Sequence, residues 1–284
     1  MTLMNVLVFG AKGYLGSQLL TVFPGAIPST VDIGNTEEVA RELDTHKPDV
    51  VINAAGKTGR PNIDWCEDHK VETLHSNVTG PLVLLKECAD RGIYWMHLGS
   101  GCIYQGGDEG DGFTEEDIPN FFGSFYSRTK AWADQMLKEF TEPTDGKGGI
   151  LVLRLRMPFD ATAGERSLIS KLKKYNRVLD VKNSMTYLPD MFNAAKILIE
   201  NRRTGLYNMV NPGIMSPYDV MVQYKEIVDP AHQFERLSLN DLPEVTKAAR
   251  SNCKLSTKKL EKEGIVMRPI EEAMREAIAS QKLA

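Results

Sequence analysis

The chain has 284 residues, 42% of them hydrophobic and 25% charged, with a formal net charge of −4. That length carries one large α/β domain or two closely joined ones, and the mildly acidic balance argues against nucleic acid or an anionic membrane as the main partner. Four widely spaced cysteines, none in a CxxC pair, argue against a metal site and for a reduced, cytoplasmic protein, and no apolar run approaches the roughly 20 residues that span a bilayer.

Residues 5–9 (NVLVF) form a short, continuously apolar run, the signature of a strand buried on both faces of a parallel sheet. The run leads straight into Gly10, Gly13 and Gly16, and then into a helical pattern through Leu19, Leu20 and Val22. Strand, glycine turn and helix is the setting in which such a triplet binds a dinucleotide. Gly10 permits the tight turn, Gly13 lets the backbone approach a pyrophosphate, and Gly16 lets the helix pack close to the strand. The pyrophosphate then sits at a helix N-terminus, where free N–H groups favour anions. Residues 30–33 (TVDI) read as a second short strand, and 35–43 as a helix opening at a polar cap. Residues 49–53 make another apolar strand, ending in Ala54, Ala55 and Gly56, whose small size admits a flat ligand. A loop of mixed chemistry follows at 60–66. Residues 70–91 read as a long helix that Gly80 and Pro81 interrupt, and 94–98 as the next strand. After a Gly/Asp-rich span, 127–140 is helical, 143–149 a turn and 150–154 a strand. Beyond Met157 and Pro158 the pattern loosens, with helices at 167–175, 190–201, 218–228 and 270–279 and a strand at 205–210.

This alternation predicts an α/β fold, a Rossmann-type doubly wound parallel sheet with a smaller C-terminal substrate lobe. The cofactor domain is expected over 1–157, with 183–205 returning to it, and the lobe over 158–182 and 206–284. Tyr126 and Lys130 are four apart, which stacks them on one face of a helix. A phenol beside an ammonium is a proton donor of lowered pKa. Ser100, where the strand at 94–98 runs out, can bond the same carbonyl oxygen. YxxxK alone is common by chance. The set gains weight because Gly10, Ala54 to Gly56 and Ser100 all fall at C-terminal ends of strands, where open α/β sheets bind ligands.

Gly10-x-x-Gly13-x-x-Gly16, residues 54–56, Ser100 and Tyr126-x-x-x-Lys130 together resemble the extended short-chain dehydrogenase/reductases, in a layout similar to dTDP-4-dehydrorhamnose reductase. Segments 58–67 (TGRPNIDWCE), 101–104 (GCIY), 116–121 (EDIPNF), 123–130 (GSFYSRTK), 154–158 (RLRMP), 183–186 (NSMT), 211–213 (NPG) and 250–252 (RSN) look like the epimerase/reductase part of nucleotide-rhamnose synthases. That family converts UDP- or dTDP-4-keto-6-deoxyglucose to the L-rhamnose nucleotide by 3,5-epimerisation and 4-keto reduction. The resemblance implies that Ser100 and Tyr126 hold the ketone oxygen, that Lys130 holds the nicotinamide ribose, and that Cys102 and Lys171 are the opposed acid and base of epimerisation. It implies NADPH, with NADH possible, on Gly10, Lys12, Gly13, Tyr14, Leu15, Gly16, Asp32, Ile33, Ala54, Ala55, Gly56, Tyr126, Lys130 and Pro158. An acid about 20 residues past the glycines favours NAD through its ribose hydroxyls, whereas Lys12 can meet a 2′-phosphate.

Substrate contacts are implied for Thr58, Gly101, Cys102, Met157, Asn183, Met185, Thr186 and Arg250. The chain departs from the family at Ala249, where relatives have proline, and in an extended turn at 144–149. Helices over 70–91 and 127–140 are where this fold usually dimerises, which implies a homodimer acting on a nucleotide sugar. Two other readings stay open: a 4-keto reductase served by a separate epimerase, and a non-catalytic, dinucleotide-binding regulatory subunit.

Overall fold

Residues 4–142 and 148–281 of the computed structural model are described; most of the turn expected at 143–149 lies outside them. The first strand, β1 (Val6–Phe9), is buried along its whole length, as an apolar run covered on both faces must be. Then come α1 (Tyr14–Val22), β2 (Ile27–Ser29), α2 (Thr36–His46), β3 (Val50–Asn53), α3 (Trp65–Asp68) and α4 (Lys70–Leu74). A π turn at His75–Thr79 joins α4 to α5 (Gly80–Asp90), followed by β4 (Tyr94–Ser100), α6 (Phe125–Lys138) and β5 (Ile150–Leu155). The chain continues through α7 (Leu168–Leu172), β6 (Arg177–Leu179), α8 (Leu188–Glu200), β7 (Gly205–Met209), α9 (Pro217–Ile227), β8 (Glu235–Leu237), α10 (Lys258–Lys262) and α11 (Ile270–Gln281).

Six strands make one sheet in the order β2-β1-β3-β4-β5-β7, with β1 parallel to β2 and β3, and β3 parallel to β4. The winding reverses between β1 and β3, and an open α/β sheet binds its ligand at that point, beyond the strand ends. The expected Rossmann-type α/β architecture is therefore present. Two elements differ from their expectation. The second strand is Ile27–Ser29, not 30–33. Asp32 instead closes a turn, its carboxylate accepting the Gly34 N–H at 2.9 Å, and Asn35 then caps α2 by accepting the Glu38 N–H at 3.2 Å. The long helix over 70–91 is not broken at Gly80 and Pro81. It widens into the π turn just before them, and Pro81 sits in the first turn of α5 directly after it.

The chain divides into two compact units, Met1–Ile103 with Phe122–Arg154 and Ala195–Tyr207, and Tyr104–Phe121 with Leu155–Ala194 and Asn208–Ala284. Segment Tyr104–Phe121 thus groups with the second unit, away from the cofactor region in which the sequence reading set it. Backbone bonds hold it there: Gly106 pairs with Asn252 and Lys254, and Phe113 with Lys254 and Ser256. The core of the first unit gathers Leu7, Phe9, Val51, Trp95, Leu137 and Val152. In the second, Phe159, Ile169, Met185, Met215, Met221 and Met274 pack together, beside a small parallel sheet of β6 and β8 that the sequence did not signal.

Helix α6, which carries Tyr126 and Lys130, is fixed to β5 by a buried ion pair. Arg154 donates from Nε and Nη2 to the two Asp134 oxygens at 2.8 and 2.7 Å, with side chains 1% and 3% exposed. Removing one partner strands the other charge in a dry interior, at a cost of about 3–5 kcal/mol. Asp134→Ala is therefore expected to lower the denaturant midpoint strongly, while an exposed-pair variant such as Asp90→Ala moves it little; urea unfolding of the two variants checks this.

Candidate active site

The glycine loop at the β1–β3 reversal is shaped by what cannot fit there. Gly10 has φ +75°, and a Cβ on it would come within 2.4 Å of the Ala55 nitrogen. A Cβ on Gly16 would lie 2.2 Å from the Gly10 carbonyl oxygen. The first positions of α1 thus sit directly against the turn, and Gly13, at the N-cap, offers no side chain to satisfy the helix's leading N–H groups. This cradle suits the pyrophosphate of a dinucleotide. Lys12 and Asp32 are exposed at its margin, Tyr14 and Leu15 are half-buried, and the Ile33 side chain is in the core, against Gly80. Beyond β3, Ala54 and Ala55 are half-buried, and Gly56 and Thr58 are exposed.

The groups singled out at the end of β4 come together. The Tyr126 hydroxyl lies 3.5 Å from Ser100 Oγ, and Ser100 Oγ accepts the Cys102 N–H at 3.1 Å. Gly101 is buried between them. Lys130 Nζ donates to the Leu98 carbonyl at 3.1 Å. Burial pulls the Lys130 ammonium down to about 8, against the opposing influence of Asp134 and Cys102. The Cys102 sulfur is therefore within electrostatic reach of Lys130, and its side chain is partly exposed, not sealed in the core.

Several supporting residues escaped the sequence reading. Ser124 caps α6, its Oγ accepting the Ser127 N–H at 3.0 Å. Glu67, from α3, accepts the Phe125 N–H at 2.6 Å, placing a carboxylate at the positive end of the same helix. Asn77, in the π turn, exchanges two bonds with the Lys57 backbone and donates to Thr129 Oγ1 at 3.2 Å, tying the loop after β3 to α6. Asn53 Nδ2 lies 3.0 Å from His97 Nδ1, while its Oδ1 accepts the Ala55 N–H at 3.0 Å. His97 is buried beside Lys130, and burial first, then that ammonium, hold its pKa well below the usual histidine range. The only signal for Asn53 and His97 was a polar residue in an otherwise apolar strand.

The remaining expected residues lie in the second unit. Asn183, Met185 and Thr186 are buried. Thr186 Oγ1 accepts the Arg156 N–H at 3.0 Å and donates to the Met209 carbonyl at 2.6 Å, and Asn183 Oδ1 accepts from the Arg156 guanidinium at 2.5 Å. Met157, beside the half-buried Pro158, has φ +41°, a conformation that costs a residue with a Cβ of order 1–3 kcal/mol and clusters at ligand clamps. Arg250 is half-buried and donates to the Ala248 carbonyl at 2.6 Å. Lys171, on α7, is half-buried, and burial, then Arg166, lower its pKa.

The model of the RmlD substrate binding domain family matches residues 4–283. The chain belongs to that family. Within it, the chain is 36% identical over 280 residues to a bifunctional dTDP-4-dehydrorhamnose 3,5-epimerase/dTDP-4-dehydrorhamnose reductase of Arabidopsis thaliana, covering 95% of this chain and 91% of that relative. It is 34% identical to the trifunctional UDP-glucose 4,6-dehydratase/UDP-4-keto-6-deoxy-D-glucose 3,5-epimerase/UDP-4-keto-L-rhamnose-reductase RHM1 of the same plant, but spans only 41% of that protein's length. Among solved structures, the L780 UDP-rhamnose synthase of Acanthamoeba polyphaga mimivirus superposes with a TM-score of 0.91 at 32% identity, over 98% of this chain and 99% of that one. dTDP-4-dehydrorhamnose reductase of Bacillus anthracis, solved with NADP, shares the fold at a TM-score of 0.81 and 19% identity, over 97% and 98% of the two chains. This member of the RmlD family has no helix, among the described residues, long and apolar enough to cross a membrane.

Proposed function

We propose that the protein is a nucleotide-sugar epimerase/reductase that converts UDP- or dTDP-4-keto-6-deoxyglucose to the corresponding L-rhamnose nucleotide. The observation that carries the reading is the cluster of Ser100, Cys102, Tyr126 and Lys130 at the end of β4. It is supported by relatives whose names combine the two activities. The Gly10–Gly16 loop would hold NADPH, which when bound would supply the hydride for C4. The chain's own groups do the rest. Ser100 and Tyr126 hold the C4 oxygen, which makes the protons on C3 and C5 acidic because the oxygen can take the charge. Inversion needs a base on one face and an acid on the other; Cys102 and Lys171 fill these roles. In the reduction, the Tyr126 hydroxyl gives its proton to O4, and the Lys130 charge keeps that proton mobile.

Incubation of the protein with each 4-keto sugar nucleotide and NADPH, with the product identified by NMR, tests the reading. Rhamnose nucleotide formed by this protein alone supports it. A product that needs a separate epimerase reduces it to a 4-keto reductase, and tight NADPH binding with no turnover replaces it with a regulatory binding protein.

The Lys130 pKa fixes a pH dependence. Below about 8 the group is an ammonium, and above it the charge that assists Tyr126 is lost. The kcat/KM for reduction, which reports groups of the free enzyme, is therefore expected to fall tenfold per pH unit above about 8. Initial rates of NADPH oxidation between pH 6 and 10 check this, and a flat profile through pH 9 contradicts it.

The protein is further expected to pair with a second copy of itself. Val71 and Leu74 on α4 and Trp132 and Met136 on α6 are exposed, as is Phe140 just beyond, and α4 packs along α6, which leaves exposed apolar side chains on two neighbouring helices. Sedimentation should give a dimer, and Trp132→Glu with Val71→Glu should give a monomer.

A further inference from the structure

Asp32, about 20 residues past the glycine loop, is the acid that the spacing rule would assign to the adenosine ribose, and its oxygens are already engaged. Oδ1 accepts the Gly34 N–H at 2.9 Å, and His75 Nε2 lies 3.2 Å from Oδ1 and 3.0 Å from Oδ2. The two partners come from distant elements: Asp32 follows β2, while His75 opens the π turn. The imidazole lies over Gly34: a Cβ there would lie 2.2 Å from His75 Cε1 and 2.3 Å from Nε2, so any larger residue turns the exposed ring aside. The same residue's N–H is the largest influence lowering the Asp32 pKa, with burial opposing it and His75 and Lys57 adding to it. Lys57 in turn pairs with Glu72 on α4 at 3.9 Å.

A free carboxylate at this point accepts the 2′- and 3′-hydroxyls of an unphosphorylated ribose and repels a 2′-phosphate. A carboxylate bridged by an imidazole does neither well. Its charge is covered by a ring nitrogen shared between its two oxygens. Lys57, which is exposed, adds positive charge near the same carboxylate.

We propose that His75, seated by Gly34 and bridging Asp32, sets the preference for the 2′-phosphorylated nicotinamide dinucleotide. The proposal rests on the reading of this chain as a nicotinamide enzyme, and it makes His75 a specificity residue that acts by covering an acid. The spacing rule that assigns an acid after the second strand to NAD fails here because it cannot see the imidazole across the turn.

Binding of NADPH and of NADH to the full chain, followed by nucleotide fluorescence without sugar substrate, tests it. The wild-type protein should bind NADPH at least tenfold more tightly than NADH. His75→Leu bares the Asp32 carboxylate and should weaken NADPH about tenfold, with NADH unchanged or tighter. Adding Asp32→Asn to His75→Leu should restore most of the NADPH affinity, because the repulsion is then gone; such non-additivity marks a coupled pair. Gly34→Ala displaces the ring without touching its chemistry and should shift the ratio the same way, which keeps the test open if His75→Leu fails to fold. A His75→Leu or Gly34→Ala ratio within twofold of wild type overturns the proposal. Absence of binding of either nucleotide to the wild-type chain overturns the nicotinamide reading itself.

Discussion

Tyr126→Phe is expected to lower kcat for 4-keto reduction by about a thousandfold, within the hundredfold to ten-thousandfold range of a positioned proton donor. The variant loses one oxygen and keeps the ring. Because Tyr126 is 8% exposed and packs on α6, the ring keeps its place and the fold should be preserved. The hydroxyl has two functions that no neighbour duplicates. It lies 3.5 Å from Ser100 Oγ, so the two oxygens can grip one ketone oxygen, and it shares a helix face with Lys130, one turn on. Lys130 is buried with its Nζ donating to the Leu98 carbonyl, so it acts on Tyr126 through its charge. NADPH binding by fluorescence should change less than threefold, which separates lost proton transfer from lost cofactor. Ser100→Ala removes the weaker of the two grips and should cost about a hundredfold. A kcat for Tyr126→Phe within tenfold of wild type would show that O4 takes its proton from elsewhere.

What the sequence revealed of this fold follows from how each feature is encoded. The strands β1, β3, β4 and β5 were legible because a strand buried on both faces must be apolar at every position, and the glycines at 10 and 16 because no other residue tolerates those contacts. Ser100, Tyr126 and Lys130 could be grouped because the helix period and the strand end brought them within reach. The second strand was misplaced, because Val31 and Ile33 look more β-prone than Ile27-Pro28-Ser29, and only the Asp32 turn shows that the strand has already ended. The π turn left no trace either, since one extra residue in a 21-residue helical pattern (residues 70–90) is invisible to periodicity. Glu67 on the Phe125 N–H, Asn53 beside His97 and Arg154 on Asp134 are all pairings across more than 19 residues. Each is set by the topology of the sheet, and a local pattern carries no information about them.

Cys102→Ala should abolish deuterium uptake at C3 and C5 while sparing the reduction. Cys102 is two residues past Ser100 and donates its N–H to Ser100 Oγ, so the thiol is anchored to the group that would hold the ketone oxygen. The thiol is partly exposed, and the other three cysteines are buried; the Cys88 thiol, for one, is pushed well above the usual thiol range by burial. Of the four, Cys102 has both access to a ligand and a nearby ammonium, since Lys130 feels its charge. A sulfur acid–base group can exchange protons near neutrality where a serine hydroxyl cannot, so Cys102→Ser should fail as Cys102→Ala does. Both variants should lose the uptake by a factor of at least about a hundred in deuterated water. Supplied with the already epimerised 4-keto sugar, both should still oxidise NADPH at near the wild-type rate, because Ser100, Tyr126 and Lys130 remain. Uptake at the wild-type rate in Cys102→Ala would transfer the inversion to another group, and loss of both activities together would mean that the cysteine shapes the Ser100 turn instead of moving a proton.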